Sequence, residues 1–83
     1  MNNDVTLFRP EEYAISRKYA CAYTLKEFES YSRILYAYKI HYRFEVMNDR
    51  IDIIMSIKEV DVPRIAKALG IKEDEMYIYF DHS

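Results

Sequence analysis

From Ile40 to Ile57 the chain largely alternates apolar and polar residues with period two, on either side of Asn48-Asp49. Successive strand side chains point to opposite faces, so this pattern predicts a two-stranded antiparallel hairpin over 40–57. Closing the chain at Asn48-Asp49 sets Val46 across from Ile51, Phe44 from Ile53, Tyr42 from Met55 and Ile40 from Ile57. All eight fall on one face, which is expected to lie under helices. Asn and Asp tolerate the left-handed backbone that a two-residue hairpin turn uses. The other face carries His41, Arg43, Glu45, Asp52, Ile54 and Ser56.

Helical spacing dominates elsewhere. Thr24-Leu25-Lys26-Glu27 forms a capping box, in which the Thr hydroxyl accepts from the third helical N–H and Glu27 reaches back to the Thr N–H. A helix is therefore expected from Leu25, with Leu25, Phe28, Tyr31, Leu35 and Tyr38 as its apolar arc and Ile34 and Tyr36 at the margins. Upstream, Pro10-Glu11-Glu12 has the composition of a helix start, and Ile15, Tyr19, Ala22 and Tyr23 follow at helical spacing. Alanine suits helices better than strands, which favours a helix over 10–23. The competing reading is a strand over 18–23 with Tyr19, Cys21 and Tyr23 on one side.

After the hairpin, Asp61-Val62-Pro63 reads as an N-cap and first turn, and Val62, Ile65 and Leu69 line one helical face. Gly70 ends that helix in a left-handed conformation, with Ile71 available for the accompanying apolar contact. Residues 72–75 form a charged loop, and Met76 to Phe80 a last strand. Val5 to Phe8 is either a short strand or part of an N-terminal arm over 1–9.

These elements give an α+β fold in a single domain over 1–83. A small antiparallel sheet, made of the hairpin, strand 76–80 and optionally strand 5–8, packs on two or three helices. With a strand at 5–8 the order becomes β-α-β-β-α-β, the ferredoxin-like pattern, which is a topology and carries no function.

Composition narrows the partners. With 83 residues and a net charge of −2, the chain has no basic excess to draw it onto nucleic acid or an anionic membrane. No run approaches the roughly 20 apolar residues of a membrane span, and the N-terminus lacks a signal-peptide layout, so a cytoplasmic protein is expected. Cys21 is the lone cysteine, so no internal disulfide forms, and the single glycine excludes a glycine-rich phosphate loop. No cofactor or metal is expected. The nine tyrosines are the unusual feature: each offers a large contact area with a polar tip.

Candidate chemistry is sparse. Ile65 to Ile71 has the small-residue and glycine signature of a helix-turn-helix, but Glu73, Asp74 and Glu75 then fall where phosphates would repel them. Glu45 across from Asp52 is a like-charged pair that reads as a solvated polar face beside a turn. Cys21, with no histidine near it in sequence, reads as a buried structural thiol. Tyr77 and Tyr79 would share a face with Arg43 and Ile54. Together with Tyr13, Ile34 and Tyr36 they make more aromatic and apolar surface than a small monomer easily hides. The expected function is a non-catalytic protein-interaction module, acting on another protein or as a homodimer. It would be a stoichiometric regulator or inhibitor of the type found among phage-encoded inhibitors of host defence. The alternative is a DNA-binding, transcription-related domain using 61–80.

Overall fold

A computed structural model describes residues 14–80. In chain order its elements are β1 (Ile15–Ala22), α1 (Leu25–Ala37), β2 (Tyr42–Val46), β3 (Ile51–Lys58), a 3-10 turn (Glu59–Asp61), α2 (Val62–Leu69), a second 3-10 turn (Glu73–Glu75) and β4 (Tyr77–Ile78). The four strands form one sheet in the order β2-β3-β1-β4, with every neighbouring pair antiparallel. Two β-α-β crossovers therefore interlock, each skipping the strand that the other one uses. This is the β-α-β-β-α-β order of the ferredoxin-like pattern.

The first strand of that pattern is Ile15–Ala22, where the alanines and spacing favour a helix over 10–23. Eight consecutive pairs join β1 to β3, from Ile15 with Lys58 to Ala22 with Ile51. The helix preference of alanine amounts to a few tenths of a kcal/mol per residue. A full ladder on one side and a partial one on the other outweigh it. Ala20 and Ala22 face the helices and are buried. Their short side chains let Leu35, Ile65 and Leu69 close over the strand in one core cluster with Ile53, Met55 and Ile57. The expected strand at 5–8 and the start of the expected helix at Pro10 lie outside the described residues.

The hairpin register is the expected one: Tyr42 with Met55, Phe44 with Ile53, Val46 with Ile51 and Glu45 with Asp52. β2 begins at Tyr42, so Ile40 precedes the strand, although it still packs against the core. The turn needs no left-handed residue, since Lys39 is the only described non-glycine residue with positive φ. Burial departs from expectation on one side. Ile53, Met55 and Ile57 are buried, while Phe44 is 52% and Val46 72% exposed. β2 is the edge strand, and among the rings of α1 Phe28 meets Phe44, with ring centres 5.0 Å apart.

α1 starts as its capping box predicts, with the Glu27 N–H donating to Thr24 Oγ1 at 3.0 Å. Glu27 reaches one residue further back than expected and accepts from the Tyr23 N–H at 2.7 Å. Its inward face is centred on Leu35 with Phe28, Tyr31 and Ile34, so the predicted arc is rotated, and Leu25 and Tyr38 at its ends are exposed. α2 buries Val62, Ile65 and Leu69 as its pattern predicts, and Ala66 beside them. Asp61 precedes it without a side-chain cap and pairs instead with Arg64 at 3.5 Å. Residues 71–80 form a turn and a two-residue strand, so no second helix follows Gly70. The expected strand over 76–80 shortens to Tyr77–Ile78.

Both helices end in the same hydrogen-bonded motif. After α1, the Lys39 N–H donates to Tyr36 O and the Ile40 N–H to Leu35 O. After α2, the Gly70 N–H donates to Lys67 O and the Ile71 N–H to Ala66 O. The left-handed position of this motif is Gly70 at φ 78° in one case and Lys39 at φ 60° in the other. A β-carbon in that conformation costs about 1 kcal/mol. Lys39→Gly is therefore expected to stabilise the protein by about 0.5–1 kcal/mol, raising Tm by about 2–6 °C. Gly70→Ala, where an added Cβ meets open space and only backbone strain remains, should lower Tm by a similar amount in the same thermal melts.

Candidate interaction site

Two surfaces bear on function: the sheet face away from the helices, and the edge of β2 that no described strand pairs. Cross-strand rows organise the first. Tyr77, Tyr19, Ile54 and Arg43 lie in one row, and Cys21, Asp52 and Glu45 in another. Tyr19 stacks obliquely on Tyr77, with ring centres 5.2 Å apart, and edge-on to Tyr79 at 6.3 Å. The Tyr79 N–H is tied to Arg17 O beside the sheet. From there its hydroxyl reaches over to Glu45 Oε2 and Arg43 Nη2, 3.1 Å from each, and the Arg43 guanidinium sits 5.3 Å from the Tyr79 ring centre. Arg43 also donates to Glu45 at 3.0 Å. This roof helps to bury Ile54, which is only 3% exposed on a face that none of the described helices covers.

Asp52 is likewise buried, at 7% exposure, where a solvated face was expected. It accepts from Arg50 Nε at 2.7 Å and lies 3.5 Å from Cys21 Sγ. The guanidinium beside it relieves the like-charge opposition with Glu45, and Arg43 does the same for Glu45 itself. Among the described residues, no group of three or more His, Cys, Asp or Glu is placed to hold a metal ion.

Of the residues expected to meet a partner, Arg43, Ile54 and Tyr79 come together here, with Tyr77 joined through Tyr19. Ile54, expected to present an aliphatic patch outward, is sealed beneath the others. Ile34 packs against the core, and Tyr13 lies outside the described residues. Tyr36 stands apart at 81% exposure, beside an open cleft of about 600 Å³ that it lines with Ile40, His41 and Tyr42.

The second surface was expected to be core. At one end of the α1–β2 flank lies Tyr36 with Tyr42. At the other, Leu25, Val46 and Met47 line a shallow hollow. Phe44 and Phe28 lie between them. Leu25 is as exposed as Val46, at 72%. The alternation in sequence marks these residues as apolar on one face. That β2 is an outer strand follows only from how residues 14–22 fold.

No protein-family model, curated protein or solved structure matches this chain. What it does is therefore read from geometry and chemistry. The tyrosine face spends its polar and aromatic groups on one another, whereas the β2 flank leaves apolar side chains and a strand edge without partners among the described residues.

One consequence is open to measurement at Cys21. Burial first, and then the Asp52 carboxylate, push its thiol above the ordinary thiol range. The thiolate is the nucleophile, so raising the pKa leaves less of it at pH 8 and slows alkylation. The rate of Cys21 modification by iodoacetamide against pH should show an inflection above that of a free thiol. Asp52→Asn should move it down.

Proposed function

We propose that this chain is a non-catalytic protein-interaction module that binds a protein partner along β2 and the adjoining flank of α1, acting by occupancy as a stoichiometric regulator or inhibitor. The observation that carries this reading is the exposure of Phe44 and Val46 on an edge strand. Sheet edges in stable proteins are usually blunted by charge, proline or cover, because unpaired N–H and C=O groups beside apolar side chains recruit other strands. This edge has its charges on one face only and no proline, and its other face is apolar. Partner strands add to such an edge through main-chain hydrogen bonds, with alternate side chains supplying selectivity. The partner's chemistry follows: an extended segment whose apolar residues alternate to meet Tyr42, Phe44 and Val46.

The tyrosine face holds only a smaller hollow among the described residues, about 230 Å³ beside Arg17, Arg43 and Ile54, and its polar groups Tyr79, Arg43 and Glu45 already bond to one another. The acidic run Glu73 to Glu75 and the missing second helix disfavour duplex DNA as the partner.

Affinity capture from cells that make this chain tests the reading, with wild type, Val46→Lys and a Lys26→Glu control as baits. A protein retained in stoichiometric amount by wild type and the control should fall by about tenfold or more with Val46→Lys, since a charge is then placed in an apolar contact. Equal retention by Val46→Lys, or no retained species, overturns it.

A further inference from the structure

We infer that the β2 edge pairs with the β2 edge of a second copy of this chain, antiparallel and centred on Phe44, to build a continuous eight-stranded sheet. The inference rests on the interaction reading above and names its partner.

The backbone fixes which groups are available. Within the hairpin the Met47 N–H donates to Arg50 O at 2.8 Å and the Ser56 N–H to His41 O at 3.0 Å. Hydrogen-bonded and non-hydrogen-bonded pairs alternate in an antiparallel ladder. Residues 41, 43, 45 and 47 therefore face β3 with their N–H and C=O groups. Those of Tyr42, Phe44 and Val46 point away from it, to the free side of the last strand in the sheet. A second strand can bond only to these three residues.

Two-fold symmetry then leaves few registers. Centring on Phe44 sets Phe44 against Phe44, Tyr42 against Val46 and Val46 against Tyr42, three pairs that each exchange two backbone hydrogen bonds. Between them, Arg43 of each copy falls opposite Glu45 of the other. Sliding by one pair in either direction places Arg43 against Arg43, or Glu45 against Glu45, and like charges directly opposite destabilise a ladder. The strand thus carries its own complement in one register: apolar pairs on the helix side, opposite charges on the other.

The flanks agree with this register. Tyr36 lies beside Tyr42, and Leu25 and Met47 beside Val46. Setting Tyr42 of one copy against Val46 of the other brings the exposed Tyr36 of one helix toward the exposed Leu25 end of the other. The apolar groups that the monomer leaves in water are then shared by both copies.

Sedimentation of the purified chain at about 1–500 µM provides the test, with charge variants to set the register. Wild type should sediment as a dimer. Arg43→Glu and Glu45→Arg should each raise the dissociation constant by about tenfold or more, because each places two like-charged pairs in the ladder. Mixing the two single variants should restore the dimer, as should combining both substitutions in one chain. The mixture separates the interface from the fold, because each chain in it still lacks its own Arg43–Glu45–Tyr79 contacts. A dimer insensitive to both variants, or a mixture that stays monomeric, overturns this pairing. A monomeric wild type also overturns it. If that monomer still retains a different protein that Val46→Lys loses, the interaction reading survives with another partner on the same edge.

Discussion

The ladder between β1 and β3 is the constraint on which the remaining structure depends. Among the described strands β1 and β3 are paired on both sides, and the positions of β1 buried under the helices are Ala20 and Ala22. Larger residues there would hold the helices off the sheet and open voids around Leu35 and Ile65, the most fully enclosed large side chains beside Ile53 and Met55. Small side chains give up little buried area of their own, yet they permit the close approach that buries larger ones. The same ladder assigns every other strand its place. With β3 on one side of β1 and β4 on the other, β2 can reach only the outer side of β3. Its edge is open because the first strand takes the central position.

The two sheet faces show how burial is obtained without a helix. Away from α1 and α2, Ile54 and Asp52 are enclosed by side chains long enough to bridge strands. Tyr79 and Arg43 extend toward each other across the sheet, and Arg50 folds back onto Asp52. The exposed Arg43–Glu45 pair contributes little stability by itself. The work of these side chains is geometric, since they exclude water from an isoleucine and hold the rings edge to face. Tyr79 thus acts as part of a lid over Ile54, with Tyr19 beside it in the same cross-strand cluster. A tyrosine's contact area can be spent within its own sheet as readily as on a partner.

Much of this was legible in the sequence. The hairpin register could be read residue by residue, because period two holds on both arms and a two-residue connection leaves one way to align them. The starts and stops of α1 and α2 were legible from Thr24, Glu27, Pro63 and Gly70, whose roles are local. What local pattern left undecided was β1, for which a strand over 18–23 was only the competing reading. Alanine-rich segments have a helical prior, and the force that overrides it comes from β3, about thirty to forty residues away in sequence. That one error concealed the site as well: with 10–23 as a helix, β2 has no assigned place, and Phe44 and Val46 pass for core. Similarly, Lys39 gives no sign of its left-handed conformation, which Leu35 and Tyr36 impose through their carbonyls.

An open apolar edge bears on stability as well as recognition. A domain of this size buries only roughly 60–65% of the surface its unfolded chain exposes, so its margin of stability is narrow. Anything that binds the folded chain and not the unfolded one adds to that margin by mass action. Covering Phe44, Val46, Leu25 and Tyr36 would do so on a backbone already held in place by β3 and α1, so only side-chain ordering is added. With the edge occupied as proposed, folding and association would be thermodynamically linked: the fold would present an edge in one register, and its occupation would support the fold. Such linkage also limits promiscuity. An edge selected by apolar pairs alone would accept many strands, whereas Arg43 and Glu45, placed between those pairs on the opposite face, reject any strand that sets like charge against them.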